Sequence, residues 1–262
     1  MSNQINTLWY KGDLGYMERL SLSSAVAQGH DVVLYSYDPD SVSAVPDGVE
    51  VRHGLQVLDD PKRTRLFEGK YKAMGSNFFR YELFEKDLGF WMDLDVILLQ
   101  KMDFSEEYIF GWESRRSINS AVLKLPSGSG MLNDMRNIPD KNWLPPHFGL
   151  QKRLQYYWMR LRQGDVDLDD LPWGSAGPAM LTYVARKHKK TSLAQPIDVF
   201  YPVPYLKAKS LFEDASIVEG MLTPRTRGIH MWNSALREWK HTRPPEGSFM
   251  DKMCQRFSVP FA

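Results

Sequence analysis

Apolar positions in the first forty residues fall into two short runs separated by a helical period. INTLWY reads as a strand, Lys11-Gly12-Asp13 as a polar turn, and residues 16–28 as a helix stopped by Gly29. The β-rich run DVVLYSY follows as a second strand, which makes the opening a βαβ unit. Pro46, Gly48 and Pro61 punctuate a looser segment. In AMGSNFFRYELFEKD the apolar residues recur at 74, 78, 81 and 84, which is helical spacing.

That helix leads into FWMDLDVILLQ, an apolar run broken by two carboxylates. YIFGW and INSAVLKL read as further strands, and PSGSG after the second as a turn. Residues 150–163, LQKRLQYYWMRLRQ, predict an amphipathic helix with Leu150, Leu154, Trp158 and Leu161 turned inward. Gly177-Pro178 opens another helix, with proline at the first helical position, where its missing N–H costs nothing. The interleaving of strands and helices predicts an α/β fold. Without repeats, low-complexity tracts or a linker, residues 1–262 read as one domain.

Composition narrows the function classes. The chain has 33 basic against 32 acidic residues, so no bulk field draws it to nucleic acid or membrane, and any charge-driven binding must be local. Its single cysteine, Cys254, excludes an intramolecular disulfide framework and fits a reducing compartment, where it reads as a packed thiol. The N-terminus carries no basic-then-apolar leader and no run of 18 apolar residues occurs, so the expectation is a soluble, cytoplasmic protein. Lys152, Arg153, Arg160 and Arg162 beside Tyr156, Tyr157 and Trp158 read either as a solvated basic helix side or as a peripheral contact with anionic lipid at the inner membrane's cytoplasmic face.

The candidate chemistry lies in D-x-D pairs, of which the chain has several. Asp38-Pro39-Asp40 follows a strand and reads as a turn. The acidic run from Asp165 to Asp170 reads as a solvated loop. Only Asp93-Leu94-Asp95 sits between apolar segments, where ionised carboxylates are costly unless paired or bound to a cation. On a strand both side chains would share one face, which is either an exposed face or a pair of oxygens suited to a hard divalent ion. Such an ion commonly completes its shell with substrate phosphates, so the implied ligand is a diphosphate.

SNFFRYELFEKDLGFWMDLDVILLQ, together with LWYKG, SLSSAVAQGHDVVLYSYD, INSAV, WGSAGPAML and HMW in that order, resembles the retaining glycosyltransferases of family 32. That family includes α-1,4-galactosyltransferases and capsule and lipopolysaccharide enzymes. The resemblance implies a GT-A fold, a mixed central sheet flanked by helices. It also implies a UDP-sugar donor, a saccharide or lipid-linked saccharide acceptor, and Mn²⁺ or Mg²⁺. By the same resemblance Leu8 and Trp9 would border the base, and Asn77 and Arg80 would contact the donor. Asp93 and Asp95 would hold ribose and metal and Asn119 the donor sugar, these three forming the catalytic set, while Gly177 and Pro178 would line the donor site on its acceptor side and His230 would approach the metal.

Two positions depart from the family pattern. Position 77 is Asn where Asp is usual, and 89–91 is Gly-Phe-Trp. Plainer readings stand beside these: Arg80 as a salt bridge to Glu82 or Glu85, Trp9 as core, and His230 as a packed ring. Two other functions stay open. FWMDLDV with Gly164-Asp165 to Asp169 also fits a haloacid-dehalogenase-type phosphohydrolase, and a degenerate transferase fold could bind nucleotide or glycan without turnover.

Overall fold

The structure is a computed structural model that describes residues 3–68, 72–172 and 174–261; Trp173 of the WGSAGPAML stretch lies outside them. Along the chain come strand β1 (Gln4–Leu8), helix α1 (Tyr16–Ala27), β2 (Asp31–Ser36), β3 (Val49–His53), α2 (Pro61–Thr64) and α3 (Lys72–Glu85). Four strands follow: β4 (Phe90–Met92), β5 (Val96–Leu98), β6 (Ile109–Trp112) and β7 (Ile118–Lys124). The remainder is α4 (Gly130–Arg136), α5 (Leu150–Gln163), α6 (Pro178–Lys187), α7 (Ile197–Phe200), α8 (Ala215–Glu219), β8 (Gly228–His230) and α9 (Phe249–Arg256). The predicted βαβ opening, the helix over 74–84 and the strands after Gln100 are all present.

Six strands form one mixed sheet in the order β3-β2-β1-β4-β7-β6. β3, β2, β1 and β4 run parallel, whereas β7 is antiparallel to β4 and to β6. The chain steps outward from β1 through β2 to β3 and returns to β4 on the opposite flank of β1. This is a topological switch point, where the carboxyl ends of two adjacent strands diverge and leave a crevice. A separate antiparallel pair, β5 with β8, continues from the end of β4.

Side-chain alternation splits the core into two layers. Ile5, Val32, Leu34, Phe90 and Met92 face one apolar cluster with Leu20 and Leu22 of α1. Val33, Tyr35, Trp91 and Leu123 face the other, with Phe78 and Tyr81 of α3, Met135 of α4, Tyr156 of α5 and Leu181 of α6. Burial on both faces is what the near-continuous apolar runs of β2 and β4 require. The expected fold class, a mixed α/β sheet flanked by helices, is therefore borne out.

One expectation is overturned. Residues 150–163 do form a helix, but Leu150, Leu154, Trp158 and Leu161 are exposed, and Tyr156 is the buried residue of α5. Apolar periodicity reports that a stripe exists; which side is covered depends on what packs there, and the core layer around Phe78 and Tyr81 receives the opposite face through Tyr156 and Met159.

Candidate metal and active site

Asp93 is the first residue past β4. Its amide still bonds the Ala121 carbonyl of β7 at 2.7 Å, after which Val96 N–H closes a turn onto the Asp93 carbonyl at 3.2 Å and β5 leaves to pair with β8. FWMDLDVILL is thus two strands of different sheets, and the carboxylates occupy the turn between them. A common strand face, the geometry expected from D-x-D spacing, is not what unites them. The β1–β4 register pairs Ile5 with Phe90 and Asn6 with Trp91, so the carboxyl ends of both strands, Leu8 and Asp93 among them, lie at the switch-point end of the sheet.

Each carboxylate has its own partner. Asp93 Oδ1 accepts from Arg80 Nη2 at 3.0 Å and from Trp91 Nε1 at 2.6 Å. Arg80 is itself buried, donating to the Ser120 carbonyl and hydroxyl at 3.1 and 2.7 Å, with its guanidinium 4.7 Å from the centre of the Trp91 ring. Glu82 and Glu85 pair with Arg136 instead, so the surface-pair reading of Arg80 is replaced. Asp95 Oδ1 lies 3.1 Å from His230 Nε2, and its Oδ2 accepts the Asn233 amide at 2.9 Å. The His230 ring packs 4.1 Å from the Trp232 ring; Trp232 takes a left-handed φ of 62° and is anchored by its indole to the Val203 carbonyl at 2.8 Å. A bulky residue rarely adopts that conformation, so the chain is strained immediately behind His230.

These contacts push the titrations apart. Burial, aided by the nearby Asp95 charge, raises Asp93 above the usual carboxylate range despite Arg80. Burial acts upward on Asp95 too, but His230 and the Asn233 amide outweigh it and hold that group low. His230 would be lowered by burial, yet Asp95 overrides this and raises it.

Among the described residues, Asp93, Asp95 and His230 form a group whose potential ligand atoms all lie within 4.8 Å of one another. Two carboxylates and an imidazole fit a divalent cation of mixed oxygen and nitrogen preference. His230 Nδ1 is buried without a hydrogen-bond partner, and Asp93 spends both of its bonds on Oδ1. The residues present fit a metal ion.

Other residues expected from the sequence surround this group unevenly. Asn119 bonds Glu113 Oε2 at 2.5 Å and the Ala121 amide at 2.8 Å, and Ala121 in turn receives the Asp93 amide. Asn77 lies against Gly177, where a Cβ would approach its Oδ1 to 3.1 Å; Pro178 then begins α6. Leu8 and Trp9 reach the same end of the sheet through the β1 register, with the Trp9 indole tied to the Gly12 carbonyl at 2.8 Å. Asp165 is held by Lys141 and Asn142 at 3.3 and 2.9 Å and is not a member of the Asp93–Asp95–His230 group.

Sequence reasoning missed Trp91, Ser120 and Asn233. Trp91 stands two residues before Asp93, hence on one face of the strand, and that spacing could have disclosed it. Ser120 and Asn233 reach the site only through the β4–β7 and β5–β8 pairings.

Comparison with known proteins adds independent information. Residues 155–258 match the alpha 1,4-glycosyltransferase conserved region. A lactosylceramide 4-alpha-galactosyltransferase of Pongo pygmaeus is 26% identical over 170 residues, 60% of this chain and 66% of that protein. That of Rattus norvegicus is 25% identical over 170 residues, 60% of this chain and 40% of that protein. The chain thus spans just under two thirds of one relative and less than half of the other. Among solved structures, a chain described as PaToxG Glycosyltransferase aligns with a TM-score of 0.43 at 11% identity, over 99% of this chain and 85% of that one. The resemblance to family 32 glycosyltransferases is borne out by the matched conserved region and the two galactosyltransferase sequences.

Proposed function

From the alpha 1,4-glycosyltransferase region of this chain, we propose that residues 1–262 form a single GT-A-like domain that moves a hexose from a UDP-sugar to a saccharide or glycolipid acceptor. The observation that carries the reading is the contact between Asp95 and His230. His230 lies inside the matched region 155–258 and Asp95 outside it, so two separate lines meet in one group at the switch-point crevice. The names of the relatives, galactosyltransferases acting on a glycosylated ceramide, support a hexosyl donor and a glycolipid acceptor. Capsule or lipopolysaccharide assembly on the cytoplasmic side is the process we infer from the family resemblance.

Asp93, Asp95 and His230 would hold the divalent cation, Mn²⁺ ahead of Mg²⁺ because one ligand is an imidazole. When bound, it supplies Lewis-acid stabilisation of the charge that grows on the departing diphosphate. Arg80 fixes the Asp93 carboxylate through Oδ1 and leaves Oδ2 for ligand or donor ribose. Asn119, held by Glu113 and the Ala121 amide, would bond the donor sugar. Asn77 against Gly177 and Pro178 would shape the donor site on its acceptor side, and Leu8 with Trp9 would border the base.

Retention is proposed through front-face attack. The sugar–diphosphate C–O bond breaks, the acceptor oxygen bonds the same carbon on the same face, and its proton passes to the leaving diphosphate. A trapped sugar adduct on any Asp or Glu would overturn this route.

The test is the shift in melting temperature on adding UDP with and without Mn²⁺, for wild type and Asp95→Ala. Ligands that bind only the native state raise apparent stability by mass action. A shift that needs Mn²⁺ and disappears in the variant is expected; no shift in wild type rejects the UDP–metal reading.

A further inference from the structure

Helix α5 carries the largest discrepancy between pattern and burial. Leu150 is 76% exposed, Leu154 61%, Tyr157 57%, Trp158 60% and Leu161 84%. Their spacing of i, i+4, i+7, i+8 and i+11 gathers them into an arc of roughly 100° at 3.6 residues per turn. Tyr156 and Met159 point the other way, into the core cluster that also holds Phe78 and Tyr81 of α3. The apolar stripe therefore faces directly away from the protein.

Its borders are basic. Arg162 flanks the stripe on one side and Arg153 and Arg160 on the other, while Lys152 lies on the opposite side of the helix. The helix contains four basic residues and no acidic one, while the chain as a whole has a net charge of +1, so the remainder nets −3 (+1 minus +4). Arg162 lies over the Trp158 ring at 4.6 Å, with its charged head along one edge of the stripe. On the other edge Arg153 is tied back to the Phe148 and Pro146 carbonyls at 2.8 and 3.3 Å, so Arg160 is the exposed cation there. The acidic run that follows is partly engaged: Asp165 pairs with Lys141 and Asp167 with Arg65.

We propose that the outward face of α5 docks on an anionic bilayer surface. An apolar centre with arginines on both borders and a Tyr-Trp pair at the middle is the arrangement of a helix lying in the interface, with its charged heads among lipid phosphates. At about 1.5 Å per residue its 14 residues are too short to cross the hydrocarbon layer, so it rests on the membrane. A second copy of the chain is a poorer occupant. An isologous contact through this stripe would oppose basic borders to basic borders.

α5 contributes no residue to the Asp93–Asp95–His230 group, so the experiment is independent of turnover. The full chain is sedimented with phosphatidylcholine vesicles, with and without phosphatidylglycerol, as wild type, as Leu154→Glu/Leu161→Glu and as Arg160→Gln/Arg162→Gln. Wild type is expected to pellet with the phosphatidylglycerol vesicles and to be released by salt. The Leu pair should lose roughly tenfold or more of this binding, and the Arg pair should lose its preference for anionic lipid. Both variants change exposed positions, and an unaltered melting temperature verifies their folding. Failure of wild type to bind phosphatidylglycerol vesicles, or equal binding by the Leu pair, overturns the proposal. So does a wild-type dimer that the Leu pair converts to monomer without any vesicle binding.

Discussion

Arg80 and Glu82 are two residues apart on one helix, yet their ion pairs differ in kind. Arg80 sits buried between Asp93, Ser120 and Trp91, whereas Glu82 and its partner Arg136 remain nearly a third exposed. Arg80→Ala would remove the ion partner of Asp93, itself 30% exposed, and leave the Ser120 carbonyl and hydroxyl without their donor, so it should destabilise by about 2 kcal/mol in urea titrations. Glu82→Ala should cost about 1 kcal/mol or less. His230 supplies a pH signature. Because Asp95 raises its folded pKa, the ring stays protonated above the ordinary histidine range, and its contribution to apo stability is complete below the unfolded value and lost as pH rises through the raised one. Metal must displace that proton, so Mn²⁺ affinity measured calorimetrically should rise over the same window. Cys254 is the quiet counterpart. Burial lifts its thiol to about 11, so alkylation at pH 8 should be slow in the native protein and fast in urea.

Helices in this molecule are positioned by single close approaches. Gly75 lies inside α3, where alanine would ordinarily be favoured by about 1 kcal/mol. Here a Cβ would meet the Phe67 ring at 2.8 Å, and that ring is packed against Tyr10 and Tyr37. Gly75→Ala should therefore lower the melting temperature. Between α4 and α6 the tie is electrostatic: Asp134 bonds Lys187 and the His188 ring, both at 2.7 Å. Partial burial would raise the Asp134 carboxyl, but the two bonds prevail and hold it below its usual value. The stability it adds is present above about pH 4 and disappears as pH falls through the lowered value. Asp134→Asn should be less stable than wild type at pH 7, and the difference should vanish towards pH 2. A difference that persists there would remove the ion pair as its cause.

At the scale of the molecule, the candidate site closes a long loop. Asp95 and His230 are 135 residues apart in sequence and meet because β5 and β8 pair outside the main sheet. A cation held by Asp93, Asp95 and His230 would tie the end of β4 to the carboxyl-terminal third. Mn²⁺ at a hundred times its dissociation constant should add about 2.7 kcal/mol to unfolding stability, and chelation should remove it. A Tm insensitive to both would mean that the three residues hold no ion.

Much of this architecture was legible in local pattern. Alternation and helical period marked β1, α1, β2 and α3, because burial on a regular element repeats with that element's own geometry. Asp93 and Asp95 stood out because carboxylates inside an apolar run demand a partner, and D-x-D with an upstream Arg supplied the resemblance. What the chain alone left open depends on contacts between distant segments. The break of FWMDLDVILL into two strands, the choice of Asp93 as partner of Arg80, the meeting of Asp95 with His230, and the outward turn of the α5 stripe each follow from which elements pack together. Local periodicity says that a face is apolar; only the assembled layers determine whether anything covers it.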